Sequence, residues 1–211
     1  MDIAVNLVES YLRLNGYLTI TEVDIPHLGA DGRYESLTDV DVLAVRFPGD
    51  LYAIDIDDQP DSRLLLIDDP SLLLTDRMVD VIVGEVKQGP AKLNPSITRH
   101  EVLHHILGRL AWIYEKGVAA TVEDLQSSGS SESPGRSGAV IRTRLVAFGG
   151  YRGAPSLNII PLGHVLGQVV SFFERFEDVL RPGQVSAPAP ALLHLFVKCG
   201  YTISVRRPDA P

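Results

Sequence analysis

The stretch that most constrains this chain is residues 79–89, VDVIVGEVKQG, an apolar run that ends in two charges. Its Val and Ile content predicts a buried β-strand. Side chains two apart on a strand share a face, so Glu85 and Lys87 emerge together while Val86 turns back into the core. Burying the end of such a strand costs free energy unless its charges have partners or a task. Upstream, residues 38–46, TDVDVLAVR, predict a second strand carrying Asp39 and Asp41, again two apart. If the two strands are neighbours, Asp41, Glu85 and Lys87 converge. That places two oxygen ligands for a hard divalent cation beside a fixed positive charge, a combination suited to cutting phosphodiesters.

The 211 residues, 45% of them hydrophobic, suffice for one full-sized core. The formal charge of -8 opposes general attraction to nucleic acid, but it is unevenly spread. Residues 50–80 hold nine Asp against Arg63 and Arg77, whereas residues 85–116 hold three Glu against five Lys or Arg and three His. The acidity therefore belongs to an insertion at 48–77, read as a solvated hairpin, and the segment around the charged pair is mildly basic. Within the insertion, DIDDQPD at 55–61 superficially resembles a calcium loop, but Pro60 stands where the turn glycine should be and Leu66 where the bidentate Glu should be. The lone Cys199 excludes an internal disulfide framework and suits a reducing compartment. The opening MDIAVNLVES lacks the apolar core of a signal peptide, and charges interrupt the apolar stretch 162–180, so a cytoplasmic chain without a membrane partner is expected.

Taken in order, apolar spacing predicts a helix over 3–15, stopped at Gly16. A strand over 17–25 and a Pro/Gly loop follow, then the two strands already described. Ser96 or Thr98 is positioned to cap a helix running to about Lys116, with Gly117 ending it. The Ser/Gly-rich stretch 126–138 reads as a flexible linker. Beyond it lie strands at 139–149 and 157–161, a helix at 163–180, a short helix at 188–199 and a last strand at 201–205. In this reading residues 1–125 form the first part of a core, and 139–211 complete the same domain with further strands and C-terminal helices, the latter serving dimerisation or substrate choice.

Helix, strand, strand, strand, helix, strand, with an aspartate in the second strand (DVDVLA, 39–44) and E-x-K in the third (GEVK, 84–87), resembles the PD-(D/E)xK nuclease superfamily, the restriction-endonuclease-like fold. The resemblance covers roughly the first half directly, with Glu9 in the first helix as a further match. It implies an α/β fold with an αβββαβ core, a central mixed sheet flanked by helices, and a C-terminal helical extension. It also implies a Mg2+-dependent (or Mn2+-dependent) nuclease acting on DNA in preference to RNA, with metal on Asp41 and Glu85. Lys87 then positions or activates the attacking water, and Glu9 supports the metal. Asp39, an orienting residue more than a ligand, joins Gln88, Lys92 and Arg99 as a candidate substrate contact. Gln88 is not followed by the tyrosine of the RecB and Cas4 branch. The chain is closer to the Holliday-junction-resolvase and Mrr-like branches.

Two other readings compete. His100 to His104 spells H-E-V-L-H, the H-E-x-x-H of zinc metallopeptidases, in which two His one turn apart bind zinc and Glu101 activates water. Leu107 and Leu110 occupy the places where an extended motif would carry Gly and a third His. The other alternative is a nuclease-like fold that binds nucleic acid or a protein without cutting, which the net charge favours. Recruitment by a protein partner fits the same acidity, and a homodimer fits the C-terminal extension.

Overall fold

The computed structural model of the chain describes residues 2–29, 31–49, 52–53, 63–64, 67–135, 138–176 and 187–203. Helix α1 (Ile3–Leu14) begins where the Asp2 carboxylate accepts the Ala4 N–H at 2.6 Å and ends at Asn15, with Gly16 at φ +83°. Strands β1 (Leu18–Leu28) and β2 (Tyr34–Arg46) form an antiparallel hairpin, and β5 (Met78–Pro90) pairs antiparallel with β2. In the acidic insertion, β3 (Tyr52–Ala53) pairs antiparallel with β4 (Arg63–Leu64); the 55–61 segment lies outside the described residues.

After β5 the chain crosses one face of the sheet through α2 (His100–Gly108) and α3 (Val118–Ser128). It then returns as β6 (Ser130–Pro134) and β7 (Val140–Gly150), with β8 (Ile159–Pro161) beside β7's far end. The crossover makes β7 parallel to β5, and the sheet order is β1-β2-β5-β7-β6. Helices α4 (Leu162–Arg175) and α5 (Pro188–Lys198) complete an α/β architecture with a mixed sheet and, among the described residues, five α-helices.

Burial divides the core into two layers. Val42, Ala44, Ile82, Val86 and Phe148 pack with α1 and α4 on one face. Leu43, Val45, Val79, Val81 and Val83 pack with α2 and α3 on the other. Central strands are therefore apolar on both sides, which is why 81–83 reads as an unbroken apolar run, interrupted only upstream, at Asp80. Among the described residues, no helix is long and apolar enough to cross a membrane.

Several sequence expectations need correction. The helix expected to run to Lys116 breaks at Gly108, passes through a 3-10 turn at Ala111–Ile113, and resumes at Val118. Gly117, read as a terminator, sits at φ +85° immediately before α3, a conformation that interrupts a helix from either side. Thr98 caps no α-helix; it ends a 3-10 turn, Pro95–Thr98, that Asn94 caps, and α2 starts with no side-chain cap. In the supposed 126–138 linker, residues 126–128 are the last turn of α3 and Ser130–Pro134 are β6, while 136–137 lie outside the described residues. Gly129, left-handed at φ +75°, closes the helix, and pairing of Ser130–Pro134 with Val140–Arg144 orders the serines. Backbone ladders, not composition, decide such a segment. Tyr201–Ile203 form no strand, and 204–205 lie outside the described residues, as do residues 177–180 of the expected long helix. Strand β1 continues through Pro26 to Leu28 after a register shift between Ile25 and Pro26.

Candidate active site at the end of strand β5

Two irregularities in the sheet bracket Asp41, Glu85 and Lys87. In the β1–β2 ladder, Thr21 pairs with Val42 and Val23 with Val40, but no pair joins Glu22 to Asp41. Glu22 takes φ +52°, a costly conformation for a residue with a Cβ. The consequence is visible across it: Val40 and Val42, two apart, fall in opposite core layers. The second irregularity lies on β5, where Val86 pairs with Phe148 and Pro90 with Gly150, so the Lys87–Gln88–Gly89 segment bulges from the ladder. Bulges re-aim side chains and terminate pairing.

The β2–β5 ladder ends at Val42 and Gly84, one step short of Asp41 and Glu85. Beyond that point the Asp41 carboxylate replaces the missing backbone acceptor: its Oδ2 takes the Val86 N–H at 2.6 Å. Glu85, 3% exposed, is ion-paired with the more exposed Lys87 ammonium. Asp39 stands nearby, exposed, and its charge acts on Asp41, Glu85 and Lys87 alike.

The electrostatics follow. Burial raises the Asp41 carboxyl above its ordinary value, against the Val86 hydrogen bond and Lys87, while Asp39 and Asp2 push it further up. Burial also raises Glu85; Lys87 opposes and the charge of Asp41 reinforces. The hydrogen bond to Glu85 holds Lys87 above the usual ammonium range. Two crowded carboxylates thus share one ammonium, and their negative charge is incompletely compensated. That donor set, carboxylate oxygens only, suits a hard cation such as Mg2+.

Other expected site residues lie elsewhere. Glu9 is buried on α1, where it pairs with Arg13 at 2.7 Å and accepts from the Thr19 hydroxyl at 3.2 Å, so it braces α1 against β1. The Gln88 amide donates to Asp2 at 3.0 Å and ties β5's end to the start of α1. Lys92 and Arg99 are exposed.

For the zinc motif, His100 and His104 are exposed at the start of α2, their rings stacked with centroids 5.7 Å apart and planes 21° from parallel. With Glu101 and His105 they line a cleft of about 430 Å3 opposite Ile25, Pro26, His27 and Leu37. Among the described residues, no group of three or more His, Cys, Asp or Glu gathers as a metal cage, neither at these histidines nor around Asp39, Asp41 and Glu85.

Sequence reasoning missed two buried clusters. Asp80, fully buried on β5, accepts from Arg142 Nε at 2.5 Å, Arg144 Nη2 at 3.0 Å and the Tyr17 hydroxyl at 2.6 Å. The Asp69 Oδ2 accepts from the Tyr11 hydroxyl at 2.6 Å and lies 2.6 Å from His164 Nε2, while Oδ1 accepts from the Ser71 hydroxyl at 2.8 Å. The visible signal for the first was charge inside apolar strands: Asp80 in VDVIV and two arginines in VIRTRLVAF. Ser71, His164 and Asp69 do not form a nucleophilic triad, because the same imidazole nitrogen meets both Asp69 and, at 3.1 Å, Ser71.

Compared with known proteins, the chain matches no family model, no curated protein and no solved structure.

Proposed function

We propose that this chain is a divalent-metal-dependent nuclease, a phosphodiester hydrolase working through Asp41, Glu85 and Lys87. The observation that carries the reading is the junction of β2 and β5. There a carboxylate locked by the Val86 N–H stands beside the ion pair of buried Glu85 with half-exposed Lys87, and burial raises both carboxyls against the opposing charge of Lys87. The order of elements supports it: two antiparallel pairings, then a helical crossover to a parallel strand, as expected of the αβββαβ restriction-endonuclease-like core.

Asp41 and Glu85 would hold Mg2+ or Mn2+, which when bound supplies Lewis acidity and a nucleophile competent at neutral pH. The protein's own contribution is positioning. The Val86 N–H fixes the rotamer of Asp41, and Glu85 keeps the Lys87 ammonium charged and aimed at the space where phosphate charge develops. The Lys87 side chain is half-exposed, so a phosphate can reach it from solvent. DNA is preferred over RNA because the resemblance carries that habit. Asp39 stands as an orienting group, and Glu9 serves the fold.

The test is cleavage of DNA and RNA with Mg2+ or Mn2+, with and without EDTA. Metal-dependent cleavage should fall by about a hundredfold or more in Asp41→Asn, Glu85→Gln and Lys87→Met. Cleavage that survives EDTA or these substitutions overturns the assignment. Metal-dependent binding without cleavage points to the non-cutting relative instead.

A further inference from the structure

The paired histidines of α2 take no part in the site at the end of β5. His100 and His104 lie one helical turn apart and share one exposed face. Their near-parallel rings, centroids 5.7 Å apart, open onto the same cleft. The helix beneath them is anchored, since Val102, Leu103, Ile106 and Leu107 are 0% exposed against the sheet. The pair is therefore presented on a rigid element, so little ordering entropy remains to be lost when both rings engage one ion. Glu101, in the same turn and lining the same cleft, offsets the positive end of the helix dipole.

We propose that His100 and His104 form a two-point chelate for a first-row divalent cation of the zinc, nickel and copper class, with water from the cleft completing the coordination. Imidazole selects these ions over Mg2+, whereas the all-carboxylate donor set of Asp41 and Glu85 prefers the hard ion. The two sites thus differ in metal preference, and this one stands whether or not the chain is a nuclease. With two protein ligands it is an exchangeable site and not the closed tetrahedron of a structural zinc. Binding clips the first turn of α2, so the ion stabilises the fold by mass action.

The experiment is competition for Zn2+ against a chromophoric chelator in excess Mg2+, with thermal unfolding read in parallel. The intact chain should bind a single equivalent and show a raised Tm. Removing one imidazole, as His100→Asn or His104→Asn, should weaken binding by more than about tenfold, since losing even an outer partner of a ligand costs about 10–100-fold. Asp41→Asn and His27→Asn should retain affinity within about threefold, as neither supplies a ligand. Both histidines are exposed, so these variants fold. No saturable zinc binding, binding untouched by loss of either histidine, or an equal loss in His27→Asn overturns the chelate. Loss in Asp41→Asn alone moves the zinc to the other site and overturns it as well.

Discussion

Asp80 and Glu85 are buried on the same strand, and the protein treats their charges in opposite ways. Around Asp80 burial alone would raise the carboxyl, but Arg144 and Arg142 outweigh it, with the Tyr17 hydroxyl adding a bond, and the carboxyl falls below its ordinary range. The two guanidiniums also hold the chain together at a distance, donating to the carbonyls of Leu72, Leu73 and Leu157. Around Glu85 a single ammonium meets several carboxylates, burial wins, and the carboxyl rises. A fully partnered charge network specifies structure, whereas the under-compensated one at Glu85 is where the proposed metal would sit.

The contrast is easiest to break at Asp80. Asp80→Asn leaves two buried guanidiniums sharing a neutral partner and should cost about 3–5 kcal/mol in urea unfolding. A loss below about 1 kcal/mol would mean that the network is solvated and the contrast false. Next comes Gly84→Ala, between the two charge sites. An added Cβ would lie 2.5 Å from Val42 Cγ1 and 3.0 Å from Phe148 Cε2, forcing apart the strands that present Asp41 and Glu85. About 1–3 kcal/mol of destabilisation is expected, with cleavage reduced further than stability alone explains. Asp41→Asn and Glu85→Gln should instead lie within about 1 kcal/mol of the parent or above it, because each removes a poorly compensated charge. The Asn oxygen can still accept the Val86 N–H. Smallest is Glu9→Gln, worth at most about 1 kcal/mol since Arg13 is largely exposed, with cleavage unchanged. A collapse of cleavage there would restore Glu9 to the catalytic group.

The same contrast has a pH signature. Asp41 and Glu85 bind protons more tightly folded than unfolded, so their contribution falls as pH rises from the ordinary values of 3.8 and 4.5 through the raised folded ones. Asp80 and Asp69 act in the opposite sense. Their contribution is present above 3.8 and lost as pH drops, in the case of Asp69 through a carboxyl held at about 2. Burial opposes that lowering at Asp69, and the bonds from His164, Tyr11 and Ser71 overcome it. Urea midpoints measured between about pH 2 and pH 7 should show both slopes, and the Asp41→Asn/Glu85→Gln double variant should lose only the first. A double variant with an unchanged profile would break the comparison at the other end.

Much of the architecture was legible locally. The β-rich runs at 79–89 and 139–149, buried on both faces, and the 3.6-residue spacing of 3–15 let β5, β7 and α1 be read without neighbours. The E-x-K pair was legible for the same reason. What escaped was everything depending on partners far along the chain. The serines of β6 look like a linker until β7 supplies their hydrogen bonds, and Glu9 looks available until Thr19 and Arg13 claim it.

Sequence alone determined the alternation of elements, the core-facing positions and the arrival of Glu85 and Lys87 on one face, because each follows from a period of two or 3.6 residues. Only the tertiary structure decided that Asp41 leaves the ladder to hold the Val86 N–H, that Asp80 is neutralised by arginines 62 and 64 residues away, and that His100 and His104 open onto a shared cleft. Those outcomes depend on which strands become neighbours and where their pairing stops, and that is settled by burial summed over the whole sheet and not by any local pattern.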